Sequence, residues 1–403
     1  MKKTIKTLFF ILALLLLAAA IVLRILTVSP FSGRTEVTPE ATAEPAAAPA
    51  AEATPEPTPE PTPEPTPEPT PEPTPEPTPE IFTISAIGDC TLYNDTRYTP
   101  ATAEFSYASY VGENYAYPFS RTVQYFENDD LTIANLECTL SDEKIYSESF
   151  FHFLAPAAYA NILTEGKVDF VNTANNHTDD YGLQGIEETC ASLDAVGLPY
   201  CKENEYKILT TDSGLTVGIY CAYNGYYPKT ENCTAAISAM RDAGAEYIIC
   251  MFHWGVDEGV YQPTQYDIDL AHACIDAGAD LVYGSHSHTL QPIEEYNGGI
   301  ILYSMGNWSF GGNTSPSDMD TAIVQVSVKR DLDGSVSNDG YTIIPCCVSG
   351  RPVLEDYTAE AYNDYCPTPY TEGTEYYDRA MSKLTGGFDG PNLHIDYSGL
   401  NNG

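Results

Sequence analysis

The chain has 403 residues, of which 57 are acidic and 18 basic, giving a formal net charge of −39 at pH 7. Only a minority of that charge sits in the linker described below, so the folded part is itself acidic and a nucleic-acid partner is excluded by repulsion from the phosphate backbone. The eleven cysteines are an odd number, which rules out complete pairing within one chain, and their spacing shows no zinc-ribbon pattern.

The chain opens on Met1-Lys2-Lys3, adds Lys6, and then runs without charge from Leu8 to Leu23, with Arg24 and a further apolar Ile25 to Val28 behind it. A basic flank before an apolar run reads as an export signal whose N-terminus stays in the cytoplasm. Crossing a bilayer takes roughly 20 apolar residues, a length reached here when Arg24 snorkels to the interface. Cleavage at Ala18-Ala19-Ala20 would leave Ile21 to Val28 on the mature protein, so residues 1–28 are expected to remain as a transmembrane anchor. Residues 29–80 form an Ala/Pro/Glu linker in which Thr-Pro-Glu-Pro repeats from Thr54 to Glu80. Proline at every second position forbids helix, and a polyproline II rod rising about 3.1 Å per residue would extend on the order of 80 Å.

From Ile81 the text changes to short apolar runs: Ile81 to Ile87, Leu131 to Ala134, Val168 to Thr173, Leu215 to Cys221 and Tyr247 to Phe252. Between them lie stretches with helical spacing. Gly182 to Val196 repeats Leu183, Ile186, Cys190 and Leu193, and Thr264 to Ala277 repeats Leu270, Ala271, Cys274 and Ile275. Such alternation predicts an α/β domain over residues 81–350. Ile300 to Ser304, Thr321 to Val328 and Gly340 to Val348 follow one another with the turn signals Asp333-Gly334 and Asp339-Gly340, which predicts an antiparallel half. Residues 351–403 show little periodicity, and a loosely packed C-terminal extension is expected there.

The strand ends carry the chemistry. Strand one ends in Gly88-Asp89, the next in Asn135-Leu136-Glu137, then Asn175-Asn176-His177, His253-Trp254-Gly255 and His286-Ser287-His288. The carboxyl ends of strands form the functional rim of an α/β sheet, so five segments each deliver a metal-competent side chain to one edge. Four of the seven histidines sit in these positions. Carboxylate oxygen combined with imidazole nitrogen suits one or two divalent ions of the Mn, Fe or Zn type rather than Ca, and a pair of ions would need a bridging carboxylate. His272 and His152 fall in a helical and an aromatic run and are read as structural. Cys90 and Cys138 are read as packing residues, and Trp254 and Trp308 either as pocket wall or as core.

In this order the five motifs resemble the CapA family of poly-gamma-glutamate capsule synthesis proteins. Asp180-Tyr181-Gly182, Asp276 to Val282, Gln291-Pro292-Ile293 and Tyr303 to Asn307 agree with that family's wording, and the resemblance spans about Ile81 to Phe310. It implies an α/β fold of the calcineurin-like metallophosphoesterase type, a four-layer α-β-β-α sandwich with mixed sheets. It also implies that Asp89 and His288 hold one metal, that Glu137 bridges, and that Asn176, His253 and His286 hold the other. His177 would face the substrate and protonate the leaving oxygen. Thr91 stands where the phosphoesterases have a ligand His, and Glu137 replaces their bridging Asp with a longer arm. Ser285 stands in for a frequent His, and Leu154 for an Arg that would touch an anion.

The resemblance implies a role in biosynthesis or export of poly-gamma-glutamate or a related anionic surface polymer. A metal-dependent hydrolase centre would sit outside the cell membrane on a single-pass anchor, with capsule synthesis membrane proteins as partners. Two alternatives stay open: a general extracytoplasmic metallophosphoesterase acting on phosphoesters, and a non-catalytic metal-containing scaffold.

Overall fold

Strand β1 (Glu80–Thr91) sends Phe82, Ile84 and Ala86 to one face and Ile87 to the other. A register shift between Ala86 and Asp89 then reverses the alternation, so that Cys90 joins the face of Ile87. Strand side chains have a period of two, so this bulge moves Asp89 from the outer face to the inner one. The computed structural model describes residues 78–147, 149–354 and 363–393. The expected anchor and nearly all of the expected linker lie outside these residues. Among the described residues no helix is long and apolar enough to cross a membrane.

Helix α1 (Tyr107–Val111) precedes β2 (Leu131–Leu136), a small pair β3 (Thr139–Leu140) and β4 (Leu154–Ala155), and helix α2 (Ala160–Glu165). Then come β5 (Phe170–Asn172), helix α3 (Gly182–Val196) and β6 (Tyr200–Cys201). A second series follows: β7 (Glu205–Thr210), β8 (Thr216–Ala222), helix α4 (Thr230–Asp242), β9 (Tyr247–His253), helix α5 (Gln265–Asp276), β10 (Leu281–Ser285), β11 (Ile293–Tyr296) and β12 (Gly299–Leu302). The remainder is β13 (Asn307–Phe310), β14 (Asp320–Arg330), β15 (Val336–Cys347), helix α6 (Gly350–Val353), β16 (Thr368–Pro369) and helix α7 (Glu375–Leu384).

One sheet runs β16-β15-β14-β1-β2-β5-β6, with β13 also pairing β1, and a second runs β11-β12-β10-β9-β8-β7. Both are mixed. β1 is parallel to β2 and antiparallel to β14, while β8, β9, β10 and β12 are parallel and flanked by antiparallel edges. Val217, Ile219, Ile249 and Met251 of the second sheet meet Ile84, Ile133 and Phe170 of the first in a shared core. Their neighbours Tyr220, Ile248, Cys250 and Phe252 turn outward under α4 and α5, and α1, α2 and α3 pack on the other side of the first sheet. Strands covered on both faces read as unbroken apolar runs. β9, buried at every residue, is the clearest case. Each fully buried Ile or Phe contributes roughly 1.5–3 kcal/mol.

Four local expectations are corrected. Leu183 is 79% exposed, and α3 turns Gly185, Thr189, Ser192 and Leu193 inward instead. A Cβ on Gly185 would press on Tyr181 and Thr139, and the Thr189 hydroxyl accepts the Leu140 amide at 3.0 Å. The helix therefore approaches β3 through small and polar residues that a hydrophobic count does not register. β12 lies parallel to β10 rather than in an antiparallel series, whereas β14 and β15 do form the expected hairpin around Asp333-Gly334. Asp339-Gly340 is a bulge inside β15, with Gly340 at φ 99°, and not a turn. From Asn363 to Leu384 the chain is well packed: Tyr365, Cys366, Ala380 and Leu384 are buried, β16 pairs β15, and α7 lies on the edge of the inter-sheet core.

Candidate metal centre

The two sheets bring their strand ends to a common rim. At Gly88 the backbone is so close to Gly306 that a Cβ would overlap the Gly306 carbonyl, which accepts the Asp89 amide at 2.9 Å. This contact locks the bulge of β1 against the turn before β13 and fixes the direction of the Asp89 carboxylate. From β2, Asn135 donates through Nδ2 to Asp89 Oδ1 at 2.8 Å. Its Oδ1 accepts from Asn172 at 3.0 Å and from Asn175 at 3.1 Å. Asn175 Nδ2 also reaches the Leu136 carbonyl at 2.8 Å, and its Oδ1 accepts the His177 amide at 3.1 Å. Three asparagines thus tie the ends of β1, β2 and β5 together.

Glu137, 1% exposed, stands in the middle of this frame. Its Oε1 is 3.4 Å from His253 Nε2 and 3.9 Å from His288 Nε2, and Thr91 reaches Oε2 at 3.5 Å. His288 Nδ1 lies 3.6 Å from Asp89 Oδ2 and 2.8 Å from Asn307 Oδ1. His253 Nδ1 is 2.8 Å from the Ser285 hydroxyl, and His253 Nε2 is 3.1 Å from His286 Nδ1. Backbone strain marks the last motif, because His286 sits at φ 102° and His288 at φ 56°. Non-glycine residues in this region cost about 1–3 kcal/mol each and cluster at functional sites.

Asp89, Glu137, His253, His286 and His288 are therefore brought into mutual contact. The ligand atoms of Asp89, Glu137 and His288 lie within 4.8 Å of one another, as do those of Glu258, His286 and His288. Asp89 Oδ2, Glu137 Oε1, Asn176 Oδ1 and His286 Nε2 are each buried without a hydrogen-bond partner. A buried polar atom left unpaired costs about 1–3 kcal/mol, so four of them at one rim mark a place built for something that binds them. Carboxylate oxygens, an amide oxygen and imidazole nitrogens fit a divalent cation.

The electrostatics agree. Burial pushes the Asp89 carboxyl up, against the pull of His288, and burial with the neighbouring charge of Asp89 pushes Glu137 well up. Burial, together with the nearby histidines, holds His253 well below its ordinary value and His286 down to about 3. The imidazoles are thus neutral and hold lone pairs available to a metal, and a bound cation would reverse the upward shift of the carboxyls.

His177, 7% exposed, lies at the edge of this group. Its Nδ1 is 2.7 Å from Asp180 Oδ2, and Asp180 Oδ1 accepts the Ser149 hydroxyl at 2.7 Å. The Phe153 ring packs edge-on at 4.8 Å. A cavity of about 620 Å³ opens over the rim, with Glu137, His177, Glu258, His288, Phe151 and Asp318 in its wall. The other tempting residues are structural. Trp254 donates to the Tyr303 carbonyl inside the helix-covered core, Trp308 is buried in the other outer core, and His272 stacks on Tyr296 beside Glu294. His152 Nε2 meets the Ser149 carbonyl at 2.8 Å. Among the described residues every cysteine is a free thiol, Cys90 and Cys138 included.

Sequence reasoning singled out neither the supporting frame nor one acid. Asn135, Asn175 and Asp180 lie inside the quoted motifs, so their signal was adjacency. Glu258 gave none, being one acid among 57.

A family profile described as "Bacterial capsule synthesis protein PGA_cap" matches residues 83–311, close to the span marked by the motifs. The PGA biosynthesis protein CapA of Bacillus subtilis is 29% identical over 231 residues, 52% of this chain and 60% of that protein. The capsule biosynthesis protein CapA of Bacillus anthracis is 28% identical over 240 residues, 53% of this chain and 58% of that protein. The chain thus spans less than two thirds of the length of these relatives. Among solved structures, the calcineurin-like phosphoesterase YfkN from Bacillus subtilis aligns over 71% of this chain and 94% of its own, with a TM-score of 0.44 and 16% identity.

Proposed function

The chain belongs to the bacterial capsule synthesis protein family PGA_cap, and from that premise we propose that it acts on poly-gamma-glutamate or a related anionic surface polymer through a divalent-metal centre of the hydrolase type. The observation that carries the proposal is the set of four buried, unpartnered ligand atoms on Asp89, Glu137, Asn176 and His286. In this reading Asp89 and His288 would hold one ion, Asn176, His253 and His286 would serve a second, and Glu137 would be shared between them, within a four-layer calcineurin-like sandwich. A bound divalent ion supplies Lewis acidity and activates water. The chain's own residues do the rest. Asp180 accepts the Nδ1 proton of His177, which leaves Nε2 to exchange a proton with the leaving group, and Phe151 and Phe153 shield that nitrogen from bulk water. The basic flank and apolar run of residues 1–28 support an uncleaved anchor that holds the domain outside the cell membrane, at the end of the Thr-Pro-Glu-Pro stalk and beside other capsule synthesis proteins.

A second reading, a general extracytoplasmic phosphoesterase, is favoured by the His177–Asp180 pair at 2.7 Å, an arrangement suited to any oxygen leaving group.

The test is metal analysis of the purified chain, followed by assays on poly-gamma-glutamate and on simple phosphate esters. Wild type is expected to carry divalent metal, and the double variant Asp89→Asn, Glu137→Gln to lose it. His177→Ala should keep the metal while the rate falls about 10²–10⁴-fold. A metal-free wild type refutes the centre. Turnover of phosphate esters alone selects the second reading, and capsule assembly undisturbed in His177→Ala selects a scaffold.

A further inference from the structure

His253 occupies both of its ring nitrogens. The Ser285 hydroxyl reaches the Phe252 carbonyl at 3.2 Å and lies 2.8 Å from His253 Nδ1, which Asn135 Nδ2 approaches at 3.3 Å; in the tautomer that suits a metal at His286, His253 Nδ1–H is given to Ser285. That leaves a lone pair on His253 Nε2, which accepts His286 Nδ1–H at 3.1 Å. The series ends on His286 Nε2, an atom without a hydrogen-bond partner in a residue 1% exposed, which in this tautomer carries a lone pair. Ligating histidines are held in this way, with the far ring nitrogen donating inward and the near one turned to the metal. The groups whose ligand atoms gather with His286 are His288 and Glu258, all within 4.8 Å, and Glu258 and His288 share the cavity wall.

We propose that Glu258, His286 and His288 form a divalent-cation position of their own, with Glu258 as its carboxylate ligand and His253 as the residue that sets the tautomer of His286. This deepens the metal-centre reading above and rests on it. It differs in giving the second ion a carboxylate from the loop after β9 in place of a nitrogen from His253, and in moving His288 to that ion from the one held by Asp89 and Glu137. Two imidazoles and one carboxylate leave open coordination positions facing the cavity, which suits an ion that contacts a carboxylate or phosphate oxygen of the substrate. The strained φ angles of His286 and His288 are the backbone counterpart of this arrangement.

The experiment is Co²⁺ titration of the full-length, metal-stripped chain in detergent, followed by visible absorption and by metal count after gel filtration. Glu258→Gln is expected to bind one ion fewer than wild type, or to bind its weaker ion at least about 10-fold less tightly, while the ion served by Asp89 and Glu137 remains. In Glu258→Cys, a sulfur-to-cobalt charge-transfer band absent from wild type should appear, and this readout stands even if the Gln variant folds poorly. Unchanged stoichiometry and affinity in Glu258→Gln, or a Cys variant without the new band, overturns the proposal. If Asp89→Asn loses an ion in the same series, the underlying metal centre survives that failure. If wild type binds no Co²⁺, both fall.

Discussion

Two clusters of buried charge lie near the rim, and they are built on opposite principles. Beside the start of β14, Lys383 of α7 reaches Asp318 at 2.6 Å and Asp320 at 2.7 Å. Arg379 grips the same Asp320 through two bonds of 2.6 and 2.7 Å, and the Tyr370 hydroxyl adds a third donor at 2.8 Å. Burial opposes the charge of Asp320, but Arg379 and Lys383 outweigh it and hold this carboxyl below its usual range. At the strand ends no lysine or arginine among the described residues reaches Asp89 or Glu137, burial prevails, and both carboxyls move up. Where the chain means an acid to be structural, it brings its own cation from the C-terminal helix. Where it leaves acids without one, the proposed metal would supply the positive charge.

This contrast can be broken experimentally, and Lys383→Ala should give the largest effect. It strands Asp318 beside an already crowded Asp320 and should destabilise the fold by about 3–5 kcal/mol, read from urea unfolding. A loss under about 1 kcal/mol would erase the distinction between the clusters. Next in size is the response to metal. A divalent ion at a hundredfold excess over its Kd should stabilise the stripped wild type by about 2.7 kcal/mol, seen as a rise in Tm. The Asp89→Asn, Glu137→Gln variant should not respond.

Acid and base should separate the clusters further. Asp320, with its folded pKa depressed, contributes stability above the ordinary carboxylate value and loses it as pH falls through the folded one. Asp89 and Glu137, with raised values, weaken the stripped chain as pH climbs from about 4 toward neutrality. Asp320→Asn should therefore flatten the loss of stability in acid, and Asp89→Asn the loss on approach to neutrality, each shown by unfolding at a series of pH values. Smallest of all is Asp89→Asn alone below about pH 4 without metal, expected within about 0.5 kcal/mol of wild type because the carboxyl it replaces is protonated there and the amide still pairs with Asn135.

Much of the strand-end cluster was legible in the sequence and none of the lysine-bearing one. Gly88-Asp89, Asn135-Leu136-Glu137, Asn175-Asn176-His177 and His286-Ser287-His288 each follow an apolar strand, so local pattern placed them on one edge. Lys383 and Asp320 are 63 residues apart in segments of ordinary amphipathic text, and only packing brings them together. The same limit hid Glu258 in the loop after β9. It also put Leu183 inward on α3, where Leu193 is buried as periodicity favours but the contact with β3 is made by Gly185 and Thr189. β12 was misplaced because a short apolar run does not disclose which neighbour it pairs with.

The cavity wall contains Glu137, Glu258 and Asp318, and among the described residues no lysine or arginine lines it. With Asp318 already paired to Lys383, Glu137 and Glu258 would repel an acidic polymer of the proposed kind until divalent ions neutralise them. On the proposed function, extracellular metal would therefore govern admission as well as chemistry, and a chelator would act first as a lock on the door.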